Sequence, residues 1–412
     1  AILSHLVGYQ DIVLCSRNVY GGTYQLLEDW FGKSSNLDIN IHWFDGYTQE
    51  DFEKALKKVT KKEKDRIKEG RQIYIYIESP CNPHGYVLDV AGISESAHKK
   101  NHVVLCDSTI GTPFLYPILK HPNTTKRPDY VIHSYTKDLS GTGTTTAGVV
   151  IGRNENMFIP KNEKAEYTDH FGKTKTKSWD ETLFWNVYYI KGAFLDSQKA
   201  FDVLTGIQTL EMRMLKKCIN TIVLAKILDT HPSINVHCAA LETSENNTLL
   251  KEQLYLGMPC PLFTIDFEGK KNSSKKTKST KTAAHTKPFS REIFKRFFDN
   301  LEPAFGLQVS LGQTNTVILC PALTSHSELS KEALKEASIT PTTIRISVGN
   351  EDPRVLLAHL VAIAEQTLAI EQPNFTKQFP TPAKIDQLYK KTYLDIHKRH
   401  IDAQPNMAES LG

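Results

Sequence analysis

Short apolar runs alternate with longer stretches of helical spacing through the first half of the chain. Residues 11–15 (DIVLC), 73–79 (IYIYIES), 102–107 (HVVLCD), 129–134 (DYVIHS) and 147–152 (AGVVIG) are rich in β-branched and aromatic side chains and too short for helices, so they are expected as strands. Between them, 48–69 and 89–100 read as helices, the second opening at Asp89 as an N-cap. This rhythm is that of βαβ units and a mostly parallel, buried sheet. Functional side chains in such sheets gather at the carboxyl ends of the strands. Glu78, Asp107 and Ser134 all stand at such ends.

Residues 191–230 carry apolar positions at helical spacing over a span long enough for two connected helices. A second αβ unit follows, with 261–268 (PLFTIDFE), 307–312 (LQVSLG) and 343–349 (TIRISVG) as its strands and 355–370 as its last helix. The organisation expected is a large domain over 1–230, a smaller one over 231–372, and a polar, partly helical tail over 373–412. Residues 269–287 (GKKNSSKKTKSTKTAAHTK) have no apolar residues larger than alanine to bury and are expected as a disordered surface insertion. The basic run 57–69 mixes acids at helical spacing and is expected as an exposed helix face.

Composition adds limits. The formal charge of +4 is small for 412 residues and traces to the Lys-rich stretch, so nucleic acid is not an expected partner. Seven scattered cysteines, with no CxxC pair, read as reduced intracellular thiols and give no metal-ligand spacing, so no metal is expected. There is no signal-peptide pattern and no apolar run of membrane-spanning length. A cytoplasmic protein is the simplest reading, and the start at Ala1 is consistent with a fragment.

The glycines of GTGTTTAG (141–148) resemble a dinucleotide motif, but they precede a strand instead of following one, which excludes that use. Five other stretches carry the chemistry: NVYGGTY (18–24), ESPCNPHG (78–85), VLCDSTIGTP (104–113), HSYTKDLSG (133–141) and IRISVGNED (344–352). Singly, Tyr20, Asp107, Lys137 and Arg345 have ordinary explanations: a turn, an ion pair, a solvated cation, a strand residue. Together and in this order they resemble the cysteine and methionine metabolism family of pyridoxal-phosphate enzymes, from the first residues to about 370. The details PCPLFTIDFE, VSLGQTNTVILCPALTSHSEL and TPTTIRISVGNEDP look closest to long fungal cystathionine γ-synthase-like proteins.

The resemblance implies an α/β chain of fold type I, with a mostly parallel large domain, a smaller C-terminal α/β domain, and pyridoxal 5'-phosphate as cofactor. Lys137 matches the lysine that forms a Schiff base with the cofactor aldehyde. Ser134 and Thr136 match the hydroxyls that bind its phosphate, and Asp107 the carboxylate that pairs with its ring nitrogen. Tyr20 matches the aromatic that stacks on the ring and assists leaving-group protonation. Asn82 matches the asparagine near the phenolic oxygen and the substrate carboxylate; Glu78 opens the same motif. Arg345 matches the arginine whose planar fork takes the substrate α-carboxylate.

Two departures accompany the match. A small-residue phosphate loop and a Tyr/Arg segment lent to the neighbouring subunit, which the family carries ahead of the YGGT stretch, are not in this sequence. Asn315 stands where family members often have glutamate, near the distal end of the substrate. The expected reaction is γ-replacement, O-acylhomoserine plus cysteine giving cystathionine, with O-acylhomoserine sulfhydrylation or carbon–sulfur lysis as alternatives. A non-catalytic protein on the same scaffold is the alternative from another class. Small amino-acid substrates and a homo-oligomer, dimer or tetramer, are implied; a membrane is not.

Overall fold

The computed structural model describes residues 1–268, 288–324, 334 and 338–404. The Lys-rich stretch 269–287 lies outside the described residues. The chain divides into two compact units, Ala1–Asn82 with Tyr86–Glu211, and Pro83–Gly85 with Met212–Gly412.

The first unit is built on a six-stranded sheet of β1 (Ile12–Ser16), β2 (Asn40–Phe44), β3 (Ile73–Glu78), β4 (Val103–Asp107), β5 (Tyr130–Ser134) and β6 (Gly148–Gly152). Its order is β2-β1-β3-β4-β5-β6, parallel throughout except for antiparallel β6 at the edge. All five strands expected in this half are present. Every residue of β1 is buried, as are five of the six in β3, because a parallel sheet is covered on both faces and needs apolar residues at consecutive positions. The helix Gln49–Lys62 opens on a Thr48–Asp51 capping box and buries Phe52, Leu56 and Val59 while its lysines stay exposed. The helix Val90–His98 opens where expected, with the Asp89 carboxylate accepting the Gly92 N–H.

Sequence pattern missed β2. It is an edge strand whose polar Asn40 and His42 hide its alternation, and both bond the Glu63 carboxylate, at 2.9 and 2.7 Å. The hairpin of β7 (Lys164–Thr168) and β8 (Thr174–Ser178) was missed too, since its strands are largely exposed and polar. A local device makes its turn: the Asp169 carboxylate accepts the N–H groups of Phe171 and Lys173. Beyond the turn start, His170 Nε2 meets Asp129 Oδ1 at 3.1 Å while His98 Nε2 meets Oδ2 at 3.0 Å. Burial alone would raise the Asp129 carboxyl, but hydrogen bonds from His170 and His98 hold it well below its ordinary value. The two imidazoles stack at 3.6 Å, nearly parallel, each aimed at a different oxygen. The three side chains bring ligand-type atoms within 4.8 Å of one another, and their hydrogen bonds fasten the hairpin to the sheet.

The second unit holds a five-stranded sheet of β9 (Asn235–His237), β10 (Leu262–Asp266), β11 (Gly306–Leu307), β12 (Val317–Leu319) and β13 (Ile344–Ser347), ordered β11-β12-β13-β10-β9. Only the β11–β12 pair is parallel. Val223, Ile227, Phe263, Phe297, Ile346 and Leu360 are among the residues of its core. The 307–312 stretch is not a strand beyond Leu307. Its chain leaves the sheet because Arg345 takes the Val309 and Ser310 carbonyls and Gly312 turns at φ +85. After Pro373 the chain buries Phe375 against His231, then forms the helix Pro382–Asp402. Among the described residues no helix is long and apolar enough to cross a membrane.

Candidate active site

Glu78, Asp107 and Ser134 are the last residues of β3, β4 and β5, three neighbouring parallel strands. Glu78 is buried, and its carboxylate accepts the main-chain N–H groups of Tyr20 at 2.7 Å and Asn82 at 2.9 Å. One side chain thus fastens two of the expected site residues to the sheet. Burial, and then the field of Asp107, push the Glu78 carboxyl well above its ordinary value; burial also raises Asp107. Two carboxyls this close, one of them buried, resist ionising together unless a cation joins them.

Thr109 was not singled out from the sequence. Its N–H donates to Asp107 Oδ1 at 2.9 Å and its hydroxyl accepts the Ser134 N–H at 2.9 Å, tying the ends of β4 and β5 together. The available signal was local, an Asp-x-Thr turn directly after a strand. Tyr20 is 48% exposed, and its ring lies so close to Gly22 that a Cβ there would sit 2.6 Å from Cε1. A larger residue at position 22 would push the Tyr20 ring from this position.

Lys137 follows β5 in a wide turn over Tyr135–Leu139, within which its own backbone departs from helical geometry at φ -88 and ψ -138. The turn closes through Ser140 N–H to the Tyr135 carbonyl and Gly141 N–H to the Lys137 carbonyl, at 3.0 and 2.9 Å. Outside it, Tyr135 N–H donates to the Ala147 carbonyl, and the Thr136 hydroxyl accepts the Ala147 N–H at 3.2 Å. The segment before β6 therefore holds the lysine turn in place. On another side the helix Ser197–Gln208 packs its Gly206 directly onto Ser140, where a Cβ would lie 2.2 Å from the carbonyl oxygen.

Tyr20, Glu78, Asn82, Asp107, Ser134, Thr136 and Lys137 all belong to the first unit. Arg345 and Asn315 belong to the second. Arg345, 1% exposed on β13, donates from Nη2 to the Val309 and Ser310 carbonyls at 3.0 and 3.1 Å. Asn315 is exposed in the loop before β12. A large cavity in the second unit is lined by Phe289, Phe294, Phe298, Val309 and Ile318 among others, and neither Arg345, Asn315 nor any of the seven first-unit residues lines it. Its size alone does not make it the reacting centre.

Residues 1–363 match the family described as Cys/Met metabolism PLP-dependent enzyme. The chain belongs to that family. An L-methionine gamma-lyase of Fusobacterium nucleatum is 28% identical over 354 residues, which are 85% of this chain and 73% of the relative. An O-acetyl-L-homoserine sulfhydrylase of Leptospira meyeri is 28% identical over 377 residues, 87% of this chain and 76% of the relative. Among solved structures, a Campylobacter jejuni chain carrying N'-pyridoxyl-lysine-5'-monophosphate is 26% identical with a TM-score of 0.68, covering 88% of this chain and 79% of that one. The fold is fold type I of the PLP-dependent enzymes, and the cofactor is pyridoxal phosphate.

The residues present fit that cofactor. Glu78 is buried and Asp107 partly buried, both with raised carboxyls, and a protonated ring nitrogen would supply the positive charge such a pair accepts. Among the described residues, the Ser134 hydroxyl has no hydrogen-bond partner, so this short donor at a strand end is available to a phosphate oxygen.

Proposed function

We propose that the protein is a transsulfuration enzyme acting at the γ-carbon of an amino acid, with γ-replacement on an O-acylhomoserine by cysteine, giving cystathionine and a carboxylate, as its reaction. The observation that carries this reading is the grouping of Tyr20, Asn82, Asp107 and Lys137 around Glu78 and the ends of β3 to β5. When bound, pyridoxal phosphate supplies an electron sink for charge developing at the substrate α-carbon.

In this reading Lys137 Nζ would hold the aldehyde carbon, and as a neutral amine it moves the proton at the substrate α-carbon. Asp107 keeps the ring nitrogen protonated. Ser134 and Thr136 take the phosphate, and Asn82 and Arg345 the substrate carboxylate. Tyr20 stacks on the ring and passes a proton toward the group leaving from Cγ. Asn315 meets the distal end of the substrate.

The likeness of sequence detail to fungal cystathionine γ-synthase-like proteins supports the synthase reading. The names of the bacterial relatives support sulfhydrylation or lysis on the same residues. The test is product analysis with O-acylhomoserine plus cysteine, compared with sulfide in place of cysteine and with cystathionine or methionine alone. Cystathionine as the main product supports the synthase; sulfide incorporation or 2-oxobutanoate release moves the assignment to the alternative.

A homo-oligomer is part of the reading, supported by Tyr189, Ile190, Phe194, Phe201 and Leu204, each more than half exposed within one stretch of the first unit. A cytoplasmic setting is supported by seven cysteines that are all buried thiols.

A further inference from the structure

Lys217 is fully buried on the helix Leu210–Asp229, and its Nζ donates to the Gly312 carbonyl at 3.1 Å. Three and two residues earlier on the same loop, the Val309 and Ser310 carbonyls receive Arg345 Nη2. Two buried cations therefore grip one short segment from opposite supports, a helix and a strand. A third bond completes the arrangement: Gly312 N–H donates to Ser347 Oγ at 3.3 Å. Ser347 and Arg345 are two apart on β13 and so share a face. Gly312 has a φ of +85, which lets its carbonyl and its N–H serve different partners in this way.

We propose that Lys217 is a positioning residue for Arg345, acting through the 309–312 loop; this rests on the reading that Arg345 takes the substrate α-carboxylate. Burying an ammonium is unfavourable, and methionine would fill the same volume without that penalty. What methionine cannot do is hold the Gly312 carbonyl. The loop carbonyls set the plane of the guanidinium, and a planar fork recognises a carboxylate only in a defined orientation. Lys217 thus acts on substrate selection without touching substrate.

The test uses the cofactor-loaded protein, with binding of L-norvaline and of L-norvalinamide followed by the change in visible absorbance. The ratio of the two affinities reads carboxylate recognition and cancels a general loss of stability. Lys217→Met is expected to reduce the preference for the carboxylate roughly tenfold, the scale of one charge-assisted hydrogen bond, with KM for O-acylhomoserine raised and kcat near the parent value. Ser347→Ala, which loosens the same loop from the strand side, is expected to move the ratio in the same direction and serves if the lysine variant does not fold. Arg345→Met separates the two ideas. If it abolishes the preference while Lys217→Met and Ser347→Ala leave it intact, the positioning role is wrong. If Arg345→Met itself leaves the preference intact, the carboxylate reading fails and the positioning role with it.

Discussion

Glu78 and Asp107 end neighbouring parallel strands directly opposite each other, so a buried carboxyl and a partly buried one share one corner of the sheet. Both are raised above their ordinary values, and for an acid that means the folded state binds protons more tightly than the unfolded chain. The cofactor-free protein therefore loses stability as pH rises above the ordinary carboxylate range. Glu78→Gln is expected to flatten this dependence. Thermal melts of the cofactor-free parent and variant across pH 5–8 check it; parallel curves would show that the pair does not share charge in this way.

Asp107→Asn removes the carboxylate proposed to pair with the ring nitrogen while leaving a side chain of the same size. A hydrogen bond between charged groups contributes about 1.5–3 kcal/mol, so pyridoxal phosphate affinity is expected to fall roughly 10- to 100-fold. Absorbance titration measures it. Equal affinity in the variant would remove Asp107 from the site.

Lys137→Ala removes the amine at the end of the β5 turn. The visible spectrum of the loaded protein should revert to that of free pyridoxal phosphate, and turnover should drop by roughly 10²–10⁴ or more, the range of a lost general base. A spectrum unchanged by the substitution would place the covalent link at another amine.

Gly206→Ala tests how the lysine turn is supported. Alanine normally strengthens a helix over glycine by about 1 kcal/mol. Here the added methyl would meet the Ser140 backbone, with 2.2 Å to its carbonyl oxygen and 2.5 Å to its Cα. Backbone cannot rotate away as a side chain can, so the sign reverses and a loss of about 1–3 kcal/mol is expected, together with weaker cofactor binding. Denaturant unfolding and the same absorbance titration report the two effects.

His133 is buried under the site, bonded through Nδ1 to the Ser108 carbonyl at 2.9 Å, and burial lowers its pKa from 6.5 to about 4. A base with a depressed folded value binds protons in the unfolded chain first, so stability falls as pH drops from about 6.5 toward about 4. The full loss is roughly 3 kcal/mol for a shift of this size. His133→Asn should be less sensitive over that window, as urea midpoints at pH 7 and pH 5 would show. His102, also lowered to about 4 by burial, contributes to the same slope and remains in the variant.

The residue pattern alone determined the strands of the parallel core and the strand-end positions of Glu78, Asp107 and Ser134. A sheet covered on both faces demands unbroken apolar runs, and those are visible in any linear reading. Tertiary structure decided what such runs cannot encode. The edge strand β2 and the β7–β8 hairpin exist through polar bonds to Glu63 and Asp129, partners remote in sequence. The 307–312 stretch resembled a strand, and became a gripped loop because Lys217 and Arg345 claim its carbonyls. Lys137 was legible as a lysine after a strand; that Ala147 and Gly206 fix its turn was not, because periodicity records which side chains are buried and says nothing of which backbones touch.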